Sequence, residues 1–148
     1  MIRMELLRTE DIEAVLELEK LCFPMDPWGR IAFEDEVDNP ISVFLTAVDE
    51  NSGELVGYGG LWLVYDVGNV TNIAVHPDYR RTGIGREILG VLIRICREKG
   101  MAAITLEVRQ GNLPAIRMYE NAGFQACGLR KRYYRDNEDA LIMTKELG

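Results

Sequence analysis

Hydrophobic and polar positions follow two different periods along the N-terminal third of the chain. Residues Ile2–Leu7 alternate between apolar and polar side chains, which predicts a first strand. Apolar residues then recur every three or four positions across Glu10–Cys22, so this segment is predicted to be a helix with Thr9 as its N-cap. The proline-containing segment Phe23–Trp28 interrupts the helical pattern, and Gly29–Val37 is predicted to form a second, short helix.

The rest of the chain predicts an α/β fold with a mostly antiparallel, mixed sheet. Apolar, β-rich runs predict six further strands at Val43–Val48, Leu55–Val64, Val70–Val75, Ala103–Val108, Phe124–Leu129 and Ala140–Thr144. Two helices are predicted at Arg86–Gly100 and Pro114–Asn121. The first three of these strands have short connections, including a turn at Asp66–Asn69, and should pair antiparallel. The helix Arg86–Gly100 is a crossover, so the strands that flank it should form one parallel central pair, with helices on both faces of the sheet.

Length and composition indicate one domain that spans residues 1–148. A chain of 148 residues is long enough for one buried core and too short for two ordinary ones. The longest uncharged stretch is too short to cross a bilayer, and the N-terminus lacks a signal-peptide pattern, so we expect a cytoplasmic protein without a membrane partner. The formal net charge of -7 disfavours direct binding to nucleic acid and is compatible with a cationic substrate.

The cysteines and the single histidine argue against metal chemistry. Cys22, Cys96 and Cys127 are odd in number and widely separated, which fits neither a disulfide framework nor a zinc site, and each is expected to pack as a small hydrophobe. His76 precedes Pro77 at a strand end and is expected to have a structural role. We therefore predict no metal cofactor.

The turn between the strand Val70–Val75 and the following helix is the strongest candidate for a binding site. It contains Arg80-Arg81-Thr82-Gly83-Ile84-Gly85, and its two glycines can adopt backbone angles that turn successive NH groups inward. The start of the helix adds unpaired NH donors and the positive end of a dipole. An anion such as a pyrophosphate would fit there, although a tight structural turn with two solvated arginines would have the same pattern.

Several motifs together resemble the GCN5-related N-acetyltransferases over nearly the whole chain. The matching segments are Val70–Val75, the turn Arg80–Gly85, Thr105–Arg109, Asn112 and Ala115–Phe124. Within that superfamily the chain is similar to the bacterial RimI group of ribosomal-protein alanine N-acetyltransferases, on the segments Asn72–Val75, Leu106–Arg109, Tyr119-Glu120, Gly123-Phe124, Arg132–Tyr134 and Glu138–Ala140. The resemblance implies that acetyl-CoA lies between two splayed central strands. Its pyrophosphate would rest on the turn Arg81–Arg86 and its pantetheine along Ile73, Ala74 and Val75.

Amine acetylation requires a base and an acid, and the sequence offers one candidate for each. Alternation places Glu107 opposite Leu106 and Val108, so a carboxylate emerges from an otherwise apolar central strand. The resemblance implies that Glu107 is the general base, acting through water. Packing alone makes Tyr119 an aromatic core residue, whereas the resemblance implies that it protonates the departing thiolate. Asn112 binds the pantetheine or caps the next helix, and the sequence leaves both roles open.

The acceptor is expected to be a protein N-terminus, and the resemblance favours the N-terminal alanine of a small-subunit ribosomal protein. Trp28, Tyr133 and Tyr134 are candidates for lining a peptide groove, while the basic run Arg130–Arg132 is expected to be a solvated turn. Two alternatives stay open: acetylation of a small amine such as a polyamine or amino acid, and a non-catalytic acyl-CoA-binding module. The oligomeric state is not predicted.

Overall fold

The computed structural model describes residues 1–148 and contains seven strands and four α-helices. The strands are β1 (Ile2–Leu6), β2 (Ser42–Asp49), β3 (Leu55–Val64), β4 (Val67–Val75), β5 (Ala103–Arg109), β6 (Gln125–Arg130) and β7 (Ala140–Glu146). The helices are α1 (Ile12–Cys22), α2 (Arg30–Asp38), α3 (Ile84–Glu98) and α4 (Leu113–Asn121). Every helix and strand predicted from the sequence is present, and most bounds agree to within two residues.

All seven strands belong to one mixed sheet in the order β1-β2-β3-β4-β5-β7-β6. Strands β1, β2 and β3 pair antiparallel, as do β5 with β7 and β7 with β6. The strands β4 and β5, which flank α3 in the chain, are parallel. This α/β sheet with one parallel pair confirms the predicted fold class.

The pairing of β4 with β5 is confined to the first residues of each strand. Val67, Gly68 and Asn69 pair with Ala103, Ile104 and Thr105. Both strands continue beyond this pairing, β4 to Val75 and β5 to Arg109.

The chain divides into two compact units. The first comprises Met1–Trp62 and Thr71–Leu92, and the second comprises Leu63–Val70 and Ile93–Gly148. The core of the first unit contains buried side chains from α1, α2, β2 and β3, among them Val15, Phe33, Phe44 and Tyr58. In the second unit, alternate residues of β5 are buried, namely Ile104, Leu106 and Val108. Phe124 and Met143 are also buried.

Two local predictions were wrong. Residues 67–69 belong to β4 and not to a turn, because pairing with β5 gives Gly68 and Asn69 a strand environment that their own preferences do not favour. The turn is confined to Tyr65 and Asp66. Thr9 is not an N-cap, since it lies within a 3-10 turn (Thr9–Asp11) whose preceding residue, Arg8, donates its backbone NH to the Asp11 carboxylate.

No helix of the protein is both long enough and apolar enough to span a membrane.

Candidate active site

The turn before α3 contains two residues in the left-handed backbone region and leads directly into the helix. Arg81 and Gly83 both have positive φ angles, +66° and +89°, and α3 begins at Ile84. The Gly83 carbonyl accepts the backbone NH of Glu87 at 3.0 Å and so starts the helical ladder. The earlier NH groups of the helix have no partners within it. Gly85 was predicted to share the special backbone role of Gly83, but it lies within the first turn of α3, and Arg81 supplies the second left-handed residue instead.

The surroundings of this turn suit a phosphate group. A Cβ placed on Gly83 would meet nothing within 4 Å, so the backbone faces open space. Arg81 and Arg86 are exposed on either side, and the Thr82 hydroxyl donates to the Tyr79 carbonyl. Arg80, by contrast, is directed at the end of β4, where its Nε donates to the Val75 carbonyl at 3.4 Å.

Glycines of β3 let α3 pack closely on the sheet and thereby fix the turn. A Cβ on Gly59 would lie 2.4 Å from a methyl group of Ile88, which no real side chain tolerates. A Cβ on Gly57 would lie 3.0 Å from the carbonyl of Ala74. Ala74 is buried, whereas Ile73 and Val75 on either side are partly buried. The end of β4 and the start of α3 are therefore held together within the first unit.

Glu107 emerges from β5 as the sequence predicted. Leu106 and Val108 are buried on the opposite face, while the Glu107 side chain keeps 28% of its surface exposed. Arg130 Nε lies 3.9 Å from Glu107 Oε1. Arg130 is the last residue of β6, so the first residue of the basic run Arg130–Arg132 belongs to a strand and places a cation beside the carboxylate. Hydrogen bonding to Glu107 also raises the pKa of Tyr133.

Tyr119 is a buried residue of α4, and its ring centroid lies 5.8 Å from that of Phe124. Burial, with a smaller contribution from Tyr134, raises the pKa of Tyr119 to about 12. The hydroxyl group is protonated at neutral pH, as that of an unshifted tyrosine also is, and this is the form that a general acid requires.

Asn112 is the N-cap of α4, and its side-chain oxygen accepts the backbone NH of Ala115 at 3.3 Å. The capping role is thus observed, while a bond to a pantetheine stays a prediction.

An ion-pair network fixes the segment that carries Tyr133 and Tyr134. Arg109, two residues after Glu107, donates to Asp136 at 2.9 Å and to Glu138 at 3.0 Å, and its guanidinium carbon lies 4.1 Å from the centre of the Tyr134 ring. Glu138 also accepts the backbone NH of Gly111 at 2.8 Å. Desolvation, only partly offset by the positive charge of Arg109, raises the pKa of Tyr134 to about 12. The loop is therefore tied to the end of the strand that holds Glu107.

Trp28 lies in the first unit, at the end of the segment between α1 and α2. Its ring packs on Phe33 with the centroids 5.4 Å apart, and its backbone NH donates to Glu19 Oε2 at 2.8 Å. Glu19 is only 2% exposed. Sequence reasoning missed this buried carboxylate, although Glu19 occupies the apolar stripe of α1 four residues after Val15 and three after Leu16.

His76 has a structural role, as expected, whereas the three cysteines differ in burial, and Cys22 is only partly buried. His76 caps the 3-10 turn Pro77–Tyr79, where its Nδ1 accepts the backbone NH of Asp78 at 3.1 Å. All three cysteines are free thiols. Cys96 is buried, but Cys127 is exposed because β6 is an edge strand whose residues are all exposed, so its predicted burial was wrong. No group of three or more His, Cys, Asp or Glu side chains is arranged to hold a metal ion.

Comparison with known proteins defines the class to which this fold and site belong. The family model for the Acetyltransferase (GNAT) family matches residues 12–124, and the chain belongs to that family. GNAT acetyltransferases use acetyl-CoA.

Within this family, the chain is similar to proteins named as ribosomal-protein alanine N-acetyltransferases. The chain is 42% identical over 139 residues to a Bacillus subtilis protein provisionally assigned as a ribosomal protein bS18-alanine N-acetyltransferase, covering 93% of this chain and 90% of the relative. It is 34% identical over 141 residues to the Escherichia coli K12 ribosomal protein bS18-alanine N-acetyltransferase, covering 93% of each chain. The crystal structure of the ribosomal-protein-S18-alanine N-acetyltransferase from Escherichia coli matches with a TM-score of 0.90 at 32% identity, over 100% of this chain and 95% of that one.

Proposed function

We propose that this protein transfers an acetyl group from acetyl-CoA to the N-terminal α-amine of a protein in the cytoplasm. The observation that carries the proposal is Glu107, a partly exposed carboxylate that emerges between buried residues of a central strand beside Arg130 and Tyr133. The names of the similar proteins support a ribosomal-protein N-terminal alanine as the acceptor. In this proposal residues 1–148 act as a single catalytic domain, and no metal takes part.

The residues of the turn before α3 fit the coenzyme. Arg81, Thr82, Gly83, Ile84, Gly85 and Arg86 would hold the pyrophosphate through backbone NH groups and two cations, with Arg80 at the adjacent end of β4. Ile73, Ala74 and Val75, with Asn112, would hold the pantetheine. The bound coenzyme supplies the acetyl group as a thioester.

Two side chains of the protein transfer the protons of the reaction, Glu107 as the base and Tyr119 as the acid. Glu107 accepts a proton from the α-ammonium group through water, which leaves a nucleophilic amine. The amine nitrogen forms a bond to the acetyl carbonyl carbon, the carbon–sulfur bond breaks, and the nitrogen releases its second proton to solvent, which leaves a neutral amide. Tyr119 donates its hydroxyl proton to the departing sulfur and regains a proton from solvent.

The choice of an α-amine follows from proton affinity. A terminal amine has a pKa near ~8 and a lysine amine near ~10.4, so about a tenth of the former and far less than a hundredth of the latter is neutral at pH 7. A single carboxylate base therefore activates the terminal amine more readily. Trp28, Tyr133 and Tyr134 would line the groove for the acceptor peptide.

A panel of acceptors tests this proposal. The protein is incubated with labelled acetyl-CoA and an alanine-initiated peptide, an N-terminally blocked lysine peptide or a polyamine. We expect label mainly in the alanine-initiated peptide. Preferential labelling of the polyamine would favour small-amine acetylation, and coenzyme binding without any product would favour a non-catalytic module.

A further inference from the structure

A buried carboxylate in the first unit has no part in the proposed reaction. Glu19 of α1 is 2% exposed, and both of its oxygens are used. Oε1 accepts the hydroxyl of Tyr58 on β3, and Oε2 accepts the backbone NH of Trp28 at 2.8 Å. One side chain thus joins a helix, a strand and the segment between α1 and α2.

The segment Phe23–Gly29 contains no regular secondary structure, and its prolines at 24 and 27 offer no backbone NH to any partner. Its first residue is bonded to the end of α1, where the Phe23 NH donates to the Glu19 carbonyl at 2.8 Å. The bond from Trp28 to the Glu19 carboxylate fixes its other end. The same residue of α1 therefore holds both ends of the segment.

Burial of a carboxylate is costly, so a residue that only filled space at this position would be apolar. Glu36 of α2 provides an internal comparison. It is also buried, at 6% exposure, and accepts the indole NH of Trp62 on β3, but it makes no bond to the segment Phe23–Gly29.

We propose that Glu19 is a positioning residue for the acceptor, which holds the segment Phe23–Gly29 so that Trp28 is placed for peptide binding. The inference rests on the proposed function, in which Trp28 lines the acceptor groove. The two oxygens of Glu19 bond to Tyr58 and Trp28, and neither bonds to the pyrophosphate turn at residues 81–86, so the effect should fall on the peptide and not on acetyl-CoA.

Two variants of similar size separate hydrogen bonding from packing. Glu19→Gln keeps an oxygen for the Trp28 NH and an amide group for Tyr58, whereas Glu19→Leu fills the space and leaves both donors unpaired. We expect Glu19→Leu to raise the KM for an alanine-initiated peptide about tenfold with little change in the KM for acetyl-CoA, and Glu19→Gln to restore nearly wild-type values. Glu36→Gln is the control and should leave both KM values unchanged.

Equal changes in both KM values, no change in either, or the same peptide effect from Glu36→Gln would overturn the inference. If Glu19→Leu does not fold, Glu19→Asp replaces it, because the shorter side chain cannot reach Tyr58 and Trp28 together. Failure of both variants to fold would show that Glu19 serves the core, which would also overturn the inference.

A readout that needs no activity separates this inference from the proposed function. The chain has two tryptophans, Trp28 and Trp62, so a Trp62→Phe background reports on Trp28 alone. Acrylamide quenching of Trp28 should increase in Glu19→Leu and stay unchanged in Glu19→Gln. Unchanged quenching in Glu19→Leu would contradict the inference even if the enzyme were active, and increased quenching would support the anchoring role even if the peptide were not the acceptor.

Discussion

The Arg109 guanidinium lies 4.1 Å from the centre of the Tyr134 ring while it also donates to Asp136 and Glu138. Both carboxylates accept from the same nitrogen, Nη1, and the planar face of the guanidinium lies against the ring, which an ammonium group does not provide. Arg109 thereby connects the end of β5 to the loop that carries both candidate groove tyrosines.

Arg109→Lys should raise the KM for the peptide and lower the stability of the protein by about 1 kcal/mol, since lysine keeps the charge but loses the planar stacking on Tyr134. Thermal denaturation and steady-state kinetics measure the two effects. Arg94→Lys is the matched control, as Arg94 is exposed and pairs with Glu98 only at 4.0 Å. If Arg109→Lys left the KM for the peptide unchanged, the ion-pair network of Arg109 would have no role in acceptor binding.

Glu19 should make the stability of the protein depend on pH. Burial is the main reason that its pKa is raised from 4.5 to about 7. The folded state therefore holds this proton more tightly than the unfolded state. The contribution of Glu19 to the free energy of unfolding should fall by ~3 kcal/mol as the pH rises from 4.5 to about 7.

Glu19→Gln removes this titration. Urea denaturation at about pH 5 and about pH 8 should show that the variant gains stability relative to the wild type as pH rises. If the free energies of unfolding of the two proteins changed in parallel with pH, Glu19 would have an ordinary pKa in the folded state.

Gly83→Ala should weaken acetyl-CoA binding, because alanine is strained at a φ of +89° and its methyl group would occupy the space in front of the backbone NH groups. Gly53→Ala is the control, since Gly53 has a φ of +75° and open space around it in the β2–β3 loop. Both variants should lose about 1 kcal/mol of stability. Calorimetric titration should show a loss of coenzyme affinity for Gly83→Ala only, and equal affinities would make the turn a purely structural feature.

Tyr119→Phe should lower turnover by ~10²- to 10⁴-fold with little effect on coenzyme affinity, because only the proton for the leaving sulfur is lost. Tyr65→Phe, at a residue that is 97% exposed, serves as the control. Single-turnover kinetics isolates the chemical step. A wild-type rate for Tyr119→Phe in that assay would return Tyr119 to the role of a core aromatic.

The order of the elements could be predicted from the sequence because strand and helix periods differ and the loops are short. Residues 67–69 were misassigned since their strand conformation depends on pairing with β5, a partner distant in sequence. Glu107 could be predicted because a carboxylate interrupts an apolar strand. The partners of Glu19, Arg109 and Arg130 could not be predicted. The periodicity of apolar residues shows on which face of a helix or strand a side chain lies, but not which residues it contacts.

The pH–rate profile for acetylation of an alanine-initiated peptide that also contains a lysine tests the central claim most directly. Mass spectrometry identifies the acetylated nitrogen, and the profile is recorded for the wild type, Glu107→Gln and the exposed-residue control Glu120→Gln. We predict acetylation of the α-amine, with Glu107→Gln slowing it most at the acidic end, where neutral amine is scarcest, and Glu120→Gln unchanged. Lysine as the main product, or superimposable profiles for the wild type and Glu107→Gln, would contradict the account.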